Sequence, residues 1–338
     1  MTDTTPPRVL VTRRLAPGVL ERLADGAEVI RHDAEQPMPR ADLLAAASGC
    51  AALLTTLDDT VDGELLDAAG PALRLVANHA VGTHNIDHAA CAARGVAVSH
   101  TPGVLTEATA DMAWALLLAA TRRLGEGERL LRSGEPWAWA PTFMLGVELA
   151  GTPLGILGMG RIGQAVARRA AGFGMPVSYH NRHRLPTERE HGARWLPLDE
   201  LLTGSPVLVV TAPLTAGTRH LVDAERIARM PRGAVLVSMT AGVVDEDALA
   251  AALDSGHLFA AAVDNFEHEP AVPAALLAQE RAVLAPHLGS ATVRTRQAMG
   301  ALAVDNILAV LAGDEPPTRV APPVTASPPP TSAPPSSP

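Results

Sequence analysis

Apolar and polar positions along the chain alternate between two patterns. Short unbroken apolar runs are each followed by a longer stretch whose apolar residues recur at helical spacing. The first run covers residues 9–11 and leads into an amphipathic pattern from about Pro17; strand-like stretches AALLTT and LRLVANHAVG follow at residues 51–56 and 73–82. Between them lie ADLLAAA and DGELLDAA, both helical in spacing. Unbroken apolar runs suit strands covered on both faces, and their alternation with helices predicts a parallel sheet. A long helix is expected from about Thr106 to Arg123, with Glu107 in its first turn. From Gly151 a second series begins, with strands expected near residues 153–157, 176–179, 207–211, 234–237, 260–263 and 282–284. One further helix, TRQAMGALAVDNILAVLAG, closes the patterned part. From Pro316 the chain is rich in Pro, Ser and Thr, which bury no core, so residues 316–338 are expected to be a disordered tail.

Composition narrows the function. At 338 residues and 47% hydrophobic content, the chain has room for two domains with sizeable cores. A formal net charge of -9 argues against nucleic acid as a partner, and the arginine pairs at 13–14, 122–123 and 168–169 are far apart. The longest apolar run, near Ala113, falls short of the ~20 residues a membrane span needs, and no basic-then-apolar leader opens the chain. Cys50 and Cys91 lack metal or redox spacing, so no metal site and a reducing cytoplasmic compartment are expected.

The strongest motif is LGILGMGRIGQAVARRAAGFG. Gly158, Gly160 and Gly163 form G-x-G-x-x-G between an apolar strand and a helix, with Met159, Arg161 and Ile162 in the same loop. Such glycines serve a tight turn, close approach of a diphosphate and helix–strand packing, while the helix N-terminus presents unpaired N–H groups. About 20 residues on, a carboxylate would select NAD(H) by bonding a ribose hydroxyl. Asn181 stands there instead, followed by Arg182 and Arg184, whose guanidinium groups can bind a 2′-phosphate. NADP(H) is therefore favoured, with NAD(H) the alternative.

The stretch GAVLVSMTAGVVDEDALAAAL reads as a buried strand, a turn and a helix start, and ligands of parallel sheets bind beyond such strand ends. Here the strand end offers Ser238, Met239, Thr240, Ala241 and Gly242, none of them charged.

Together with the glycine fingerprint, VANHAVGTHNIDHAA, TPGVLTEATADMAWALLLAATRR, APLTAGTRHLV, VVDEDAL, AVDNFEHEP and LAPHLGSAT resemble the D-isomer-specific 2-hydroxyacid dehydrogenases, especially the glyoxylate/hydroxypyruvate reductase branch. The resemblance runs from about Arg8 to Gly313. It implies an α/β fold of two Rossmann-like, doubly wound parallel-sheet domains. The flavodoxin-like substrate domain would take residues 1–100 plus 292–315, and the dinucleotide-binding domain residues 101–291. It also implies an active cleft between the domains and a homodimer. By the same resemblance, His287 is the acid/base, Glu269 its carboxylate partner, and Asn78, Val81 and Gly82 belong to the turn that holds a substrate carboxylate. Thr109, Thr211, Ala212, Pro213, Thr218, Met239, Thr240, Ala241, Asp264 and Gly289 are implied to line the coenzyme together with His287, Asp264 orienting the nicotinamide amide.

One element of the family pattern is missing. An arginine that clamps the substrate carboxylate and polarises its carbonyl belongs where this chain has Thr240 or Ala241. Arg294, seven residues after His287, is the candidate replacement. His79 and His84 in the substrate turn also depart from the pattern and are expected to be exposed. The expected activity is NAD(P)H-dependent reduction of small 2-oxo acids, slow or altered in specificity. A nucleotide-binding pseudoenzyme or sensor of the same fold is the competing expectation.

Overall fold

The computed structural model describes residues 6–321. They form two compact units, one built from the chain up to Pro102 and again from Arg296, the other from Gly103–Thr295.

The first unit holds five parallel strands: β1 (Arg8–Val11), β2 (Glu28–Arg31), β3 (Cys50–Thr55), β4 (Leu75–Asn78) and β5 (Ala97–Ser99). Their spatial order is β2-β1-β3-β4-β5, the flavodoxin-like doubly wound order. Along β1, Val9 and Val11 face one core and Leu10 the opposite one, so a three-residue apolar run serves both layers. The chain returns to this unit through the helix Val293–Ala312, where Ala303, Val304, Ile307 and Val310 pack against the Val9 face. Packing there is close: a Cβ on Gly300 would lie 2.5 Å from Val19.

The first residues of the expected tail are held by the fold. Pro316 is buried, Thr318 donates its N–H to Asn306 Oδ1 (2.9 Å) and its hydroxyl to the His100 carbonyl (2.6 Å), and Val320 N donates to Val98 O (2.8 Å). Asn306 is fully buried, and a buried carboxamide needs such partners. The rest of the expected tail, residues 322–338, lies outside the described residues.

The second unit holds seven parallel strands: β6 (Leu154–Leu157), β7 (Val177–His180), β8 (Arg194–Trp195), β9 (Val207–Val210), β10 (Ala234–Ser238), β11 (Leu258–Val263) and β12 (Ala282–Leu284). The order is β12-β11-β10-β9-β6-β7-β8, which reverses direction at β6 and so creates the crevice where dinucleotides bind in such sheets. Every residue of β6, β9 and β10 is buried. Val235 and Val237 face one layer, Ala234 and Leu236 the other. Across one face lies the helix Thr106–Thr121; its Trp114 stacks on Phe173 at 4.3 Å and donates its indole N–H to the Val166 carbonyl (3.2 Å). This helix is followed by Arg123 at φ 53, after which a separate helix, Leu124–Ser133, begins.

Candidate active site

The glycine loop leaves β6 and enters the helix Arg161–Ala170. Gly158 has φ +102, and a Cβ there would lie 2.3 Å from the Ala212 backbone nitrogen. A Cβ on Gly163 would lie 2.4 Å from the Gly158 carbonyl oxygen, so helix and loop touch through bare backbone. Around Gly160, by contrast, nothing lies within 4 Å of where a Cβ would stand. The helix start has neither a side-chain cap nor an acidic residue in its first turn, which leaves its N–H groups open to an anion. Tight turn, close packing and an open approach are the three demands of a diphosphate, and the loop fits one. Met159 buries its side chain in the core, while Arg161 is exposed and Ile162 half-buried.

At the end of β7, Asn181 Oδ1 accepts the Met159 N–H (2.6 Å), bracing the glycine loop from the neighbouring strand. Arg182 is exposed. Arg184 differs from expectation: its Nε and Nη2 donate to Glu190 Oε1 and Oε2 at 2.8 and 3.0 Å. Tyr179 donates its hydroxyl to the same carboxylate (2.7 Å), and the Arg184 guanidinium followed by that hydroxyl holds the Glu190 carboxyl down at about 2. The fork of Arg184 is thus already occupied by a carboxylate.

Beyond β9, Thr211 donates its hydroxyl to the Gly158 carbonyl (2.6 Å), and Ala212 is the residue that Gly158 abuts. Thr218 turns inward on its own loop, donating to the Pro213 carbonyl (2.7 Å) and accepting the Thr215 N–H (2.8 Å). Thr109 is buried, with its hydroxyl donated to the Leu105 carbonyl (2.9 Å). A Cβ on Gly289 would come 3.2 Å from the Thr109 methyl and 2.9 Å from Asp264 Oδ2.

Past the ends of β11 and β12 lies the acid/base candidate. His287 Nδ1 is 2.8 Å from Glu269 Oε2, and Glu269 Oε1 accepts the Phe266 N–H (3.0 Å). The His287 backbone is left-handed (φ 54), a conformation costing an L-residue about 1–2 kcal/mol. The turn is held in place by its surroundings. His287 N donates to Asp264 O (2.9 Å), and the Asp264 carboxylate accepts the N–H groups of Leu288 (2.7 Å) and Gly289 (2.9 Å). Burial raises the Asp264 carboxyl above its usual range despite those two donors. Sequence reasoning passed over Asn265, whose carboxamide lies 2.9 Å from His287 Nε2. Its signal was a polar residue directly after Asp264 where the apolar strand ends.

The turn after β10 carries no cation of its own. Met239 is buried in the core, Thr240 and Ala241 are half-buried, and Ser238 donates its hydroxyl to the Thr240 carbonyl (3.1 Å). Arg294 is exposed on the first turn of the helix Val293–Ala312.

In the first unit, Asn78 is fully buried; it accepts the Thr55 hydroxyl (3.1 Å) and donates to Gly82 O (2.9 Å) and Asn85 Oδ1 (3.1 Å). It shapes the turn at residues 78–82 from within. The N–H groups of Val81 and Gly82, both exposed, donate to nothing among the described residues. His84 is exposed as expected, but His79 is not: it is 8% exposed, its Nε2 has no partner among the described residues, and burial, aided by the Arg296 cation, lowers its imidazole to about 4. His79 is therefore neutral near pH 7. Arg296, two residues after the expected Arg294, is the cation that accompanies this turn.

Comparison with known proteins places these features in a family. The family profile "D-isomer specific 2-hydroxyacid dehydrogenase, NAD binding domain" matches residues 114–289. The chain is 45% identical over 321 residues to a glyoxylate reductase of Thermococcus onnurineus, covering 93% of this chain and 96% of the relative. It is 47% identical over 322 residues to a glyoxylate reductase of Aeropyrum pernix, with the same coverage of 93% and 96%. Among solved structures, the NADPH-dependent glyoxylate/hydroxypyruvate reductase of Sinorhizobium meliloti, in complex with NADP and malonate, superposes with a TM-score of 0.80 at 36% identity, covering 93% of this chain and 97% of that one. On likeness that spans nearly its whole described length, this chain belongs to the D-isomer-specific 2-hydroxyacid dehydrogenases.

Proposed function

We propose that this protein reduces small 2-oxo acids of the glyoxylate and hydroxypyruvate type to D-2-hydroxy acids. The observation that carries this reading is the His287–Glu269 pair, 2.8 Å apart, beyond the strand ends of a sheet whose glycine loop has the shape a diphosphate needs. The glycine loop with Gly158, Gly160 and Gly163 would hold a nicotinamide dinucleotide, whose chemistry would be the supply of hydride. His287 donates its Nε2–H to the carbonyl oxygen and releases that proton as negative charge develops there. Glu269 holds Nδ1–H, which keeps Nε2 as the reacting nitrogen and stabilises the imidazolium. Asp264 fixes the His287 turn through the N–H groups of Leu288 and Gly289. The free N–H groups of Val81 and Gly82 suit the substrate carboxylate. The first unit is thus assigned to substrate and the second to coenzyme.

Exposed Arg182 and the absence of a carboxylate at Asn181 favour NADP(H) over NAD(H). A homodimer is supported by exposed apolar side chains on the helix Leu124–Ser133 and the arm after it: Leu124 (65%), Leu131 (62%), Trp137 (55%) and Trp139 (76%). A second copy would remove this surface from water. Among the described residues no helix is long and apolar enough to cross a membrane, and two buried free thiols support a reducing compartment.

The test is oxidation of NADPH with glyoxylate and with hydroxypyruvate, for the wild type and His287→Asn. Turnover by the wild type, lowered about 10²- to 10⁴-fold in the variant with NADPH binding retained, is the expected result. The uncharged turn at Thr240 and Ala241 favours a second reading, a nucleotide-binding sensor. NADPH binding at micromolar concentration with no turnover by the wild type would establish it.

A further inference from the structure

The reading above leaves unused a second histidine that is paired with a carboxylate. His220 follows the loop Thr211–Thr218, and its Nε2 is 2.6 Å from Glu267 Oε2, while the Arg219 guanidinium pairs with Oε1 of the same side chain. Glu267 stands two residues before Glu269, so the short segment 266–269 carries one carboxylate for each histidine. The two also share a backbone conformation. Like His287, His220 is left-handed (φ 48), which is unfavourable for an L-residue and persists where the surroundings enforce it. His220 N donates to Gly242 O (2.8 Å) and Val222 N to Val243 O (3.0 Å), which stitches this stretch to the turn after β10. A Cβ on Gly242 would lie 3.6 Å from Glu267 Cδ, so the carboxylate packs on that turn as well. Glu267 N in turn donates to Glu246 Oε1 (2.8 Å), and Phe266 N to Glu269 Oε1 (3.0 Å). Burial opposes the charge of Glu267, but the His220 hydrogen bond, with the His220 and Arg219 charges, holds its carboxyl below the usual range.

We propose that His220 is a positioning residue for the acid/base pair: through Glu267 it fixes the segment 266–269, and so keeps Glu269 at His287 in register with the loop Thr211–Thr218. The inference rests on the reading above, in which His287 is the acid and that loop lines the coenzyme. No proton is transferred at His220. Its ring donates Nε2–H to Glu267, its backbone N–H is given to the turn after β10, and its own chain continues from the coenzyme loop. One residue thereby joins the three strand-end segments between which hydride and proton must be delivered together. Without the ring, Glu267 keeps only Arg219, an exposed side chain with no printed tie to the turn after β10. The segment then loosens, Glu269 spends less time at His287 Nδ1, and fewer encounters have both reacting groups aligned.

The experiment compares His220→Ala, His220→Gln, Glu267→Gln, the double variant His220→Ala with Glu267→Gln, and His287→Asn. It reads kcat and KM with glyoxylate and hydroxypyruvate, and NADPH affinity separately. His220→Ala is expected to lower kcat about tenfold, with KM and NADPH affinity within twofold, because alignment rather than binding is lost. Glu267→Gln, which keeps the shape but not the charge-assisted bond, is expected to lower kcat about fivefold. The double variant should be no worse than about twofold below His220→Ala, since both changes break one pair. His220→Gln, whose amide nitrogen reaches about as far as Nε2 and still donates, should recover kcat to within about threefold of the wild type. Wild-type kcat in His220→Ala, fully additive losses in the double variant, or no recovery in His220→Gln overturns the proposal. If His220→Ala does not fold, the nearly isosteric Glu267→Gln decides alone, and wild-type kcat there overturns it. Activity surviving in His287→Asn would instead remove the acid assignment beneath it. Loss in His287→Asn with His220→Ala and Glu267→Gln unaffected would remove only the role of His220.

Discussion

Two turns of the second unit sit at comparable places, past the ends of β6 and β10, and differ in what they offer a ligand. The glycine loop after β6 meets every geometric demand of a diphosphate: a Cβ is excluded at Gly158 and Gly163 and nothing crowds Gly160. The turn after β10 occupies the equivalent position two strands away in the sheet, yet presents Thr240 and Ala241 where the family pattern has a guanidinium. The difference lies in what each turn works with. Coenzyme binding as proposed at the first would use backbone N–H groups and the absence of side chains, so it would survive as long as the glycines do. In the family pattern the second works through one long cationic side chain, which a single substitution removes. Coenzyme affinity and substrate turnover should therefore respond separately to mutation.

The largest expected effect breaks the intact turn. Gly158→Ala places a methyl where the Ala212 backbone stands and where φ is +102, and titration of intrinsic fluorescence should show NADPH affinity falling about a hundredfold. The next repairs the depleted turn: Ala241→Arg should raise kcat/KM for free 2-oxo acids at least about tenfold, since a cation aimed at developing oxyanion charge commonly contributes on the order of 10²- to 10³-fold. An unchanged kcat/KM would mean that another group already supplies that charge.

A smaller effect sharpens the coenzyme side. Arg182→Ala should weaken NADPH about fivefold to tenfold while leaving NADH within twofold, as expected for one charge-assisted contact to a 2′-phosphate. The smallest separates its neighbour: Arg184→Ala should leave both coenzymes within twofold, because that guanidinium is held by Glu190. Its signature lies in acid unfolding instead. The Glu190 carboxyl is held at about 2, so its stabilising effect is present above the ordinary carboxylate range and lost as pH falls toward 2. In Arg184→Ala that part of the acid sensitivity should disappear, as followed by circular dichroism.

The legible parts of the fold were those with dense apolar runs. β3, β6, β9 and β10 are buried along their whole length and stand out in the pattern. β2 (EVIR), with no fully buried residue, and the two-residue β8 did not, because edge strands are covered on fewer sides and carry mixed residues. The helix expected from Pro17 shrinks to Glu21–Ala24 because Gly18 sits at φ +81. His79 looked like a loop histidine; its burial comes from the return of the chain at Arg296, more than 200 residues later.

Local pattern was enough for the alternation of strands and helices, for the glycine loop and for the uncharged end of β10, since each is written in residues adjacent in the chain; that a guanidinium is missing there came from the family resemblance. The pairing of Arg184 with Glu190, the neutral and enclosed His79, the pinning of Thr318 on Asn306 and the amide of Asn265 at His287 had no local signature. Each depends on side chains brought together by packing, where burial leaves a polar atom no choice but the partner that the fold supplies.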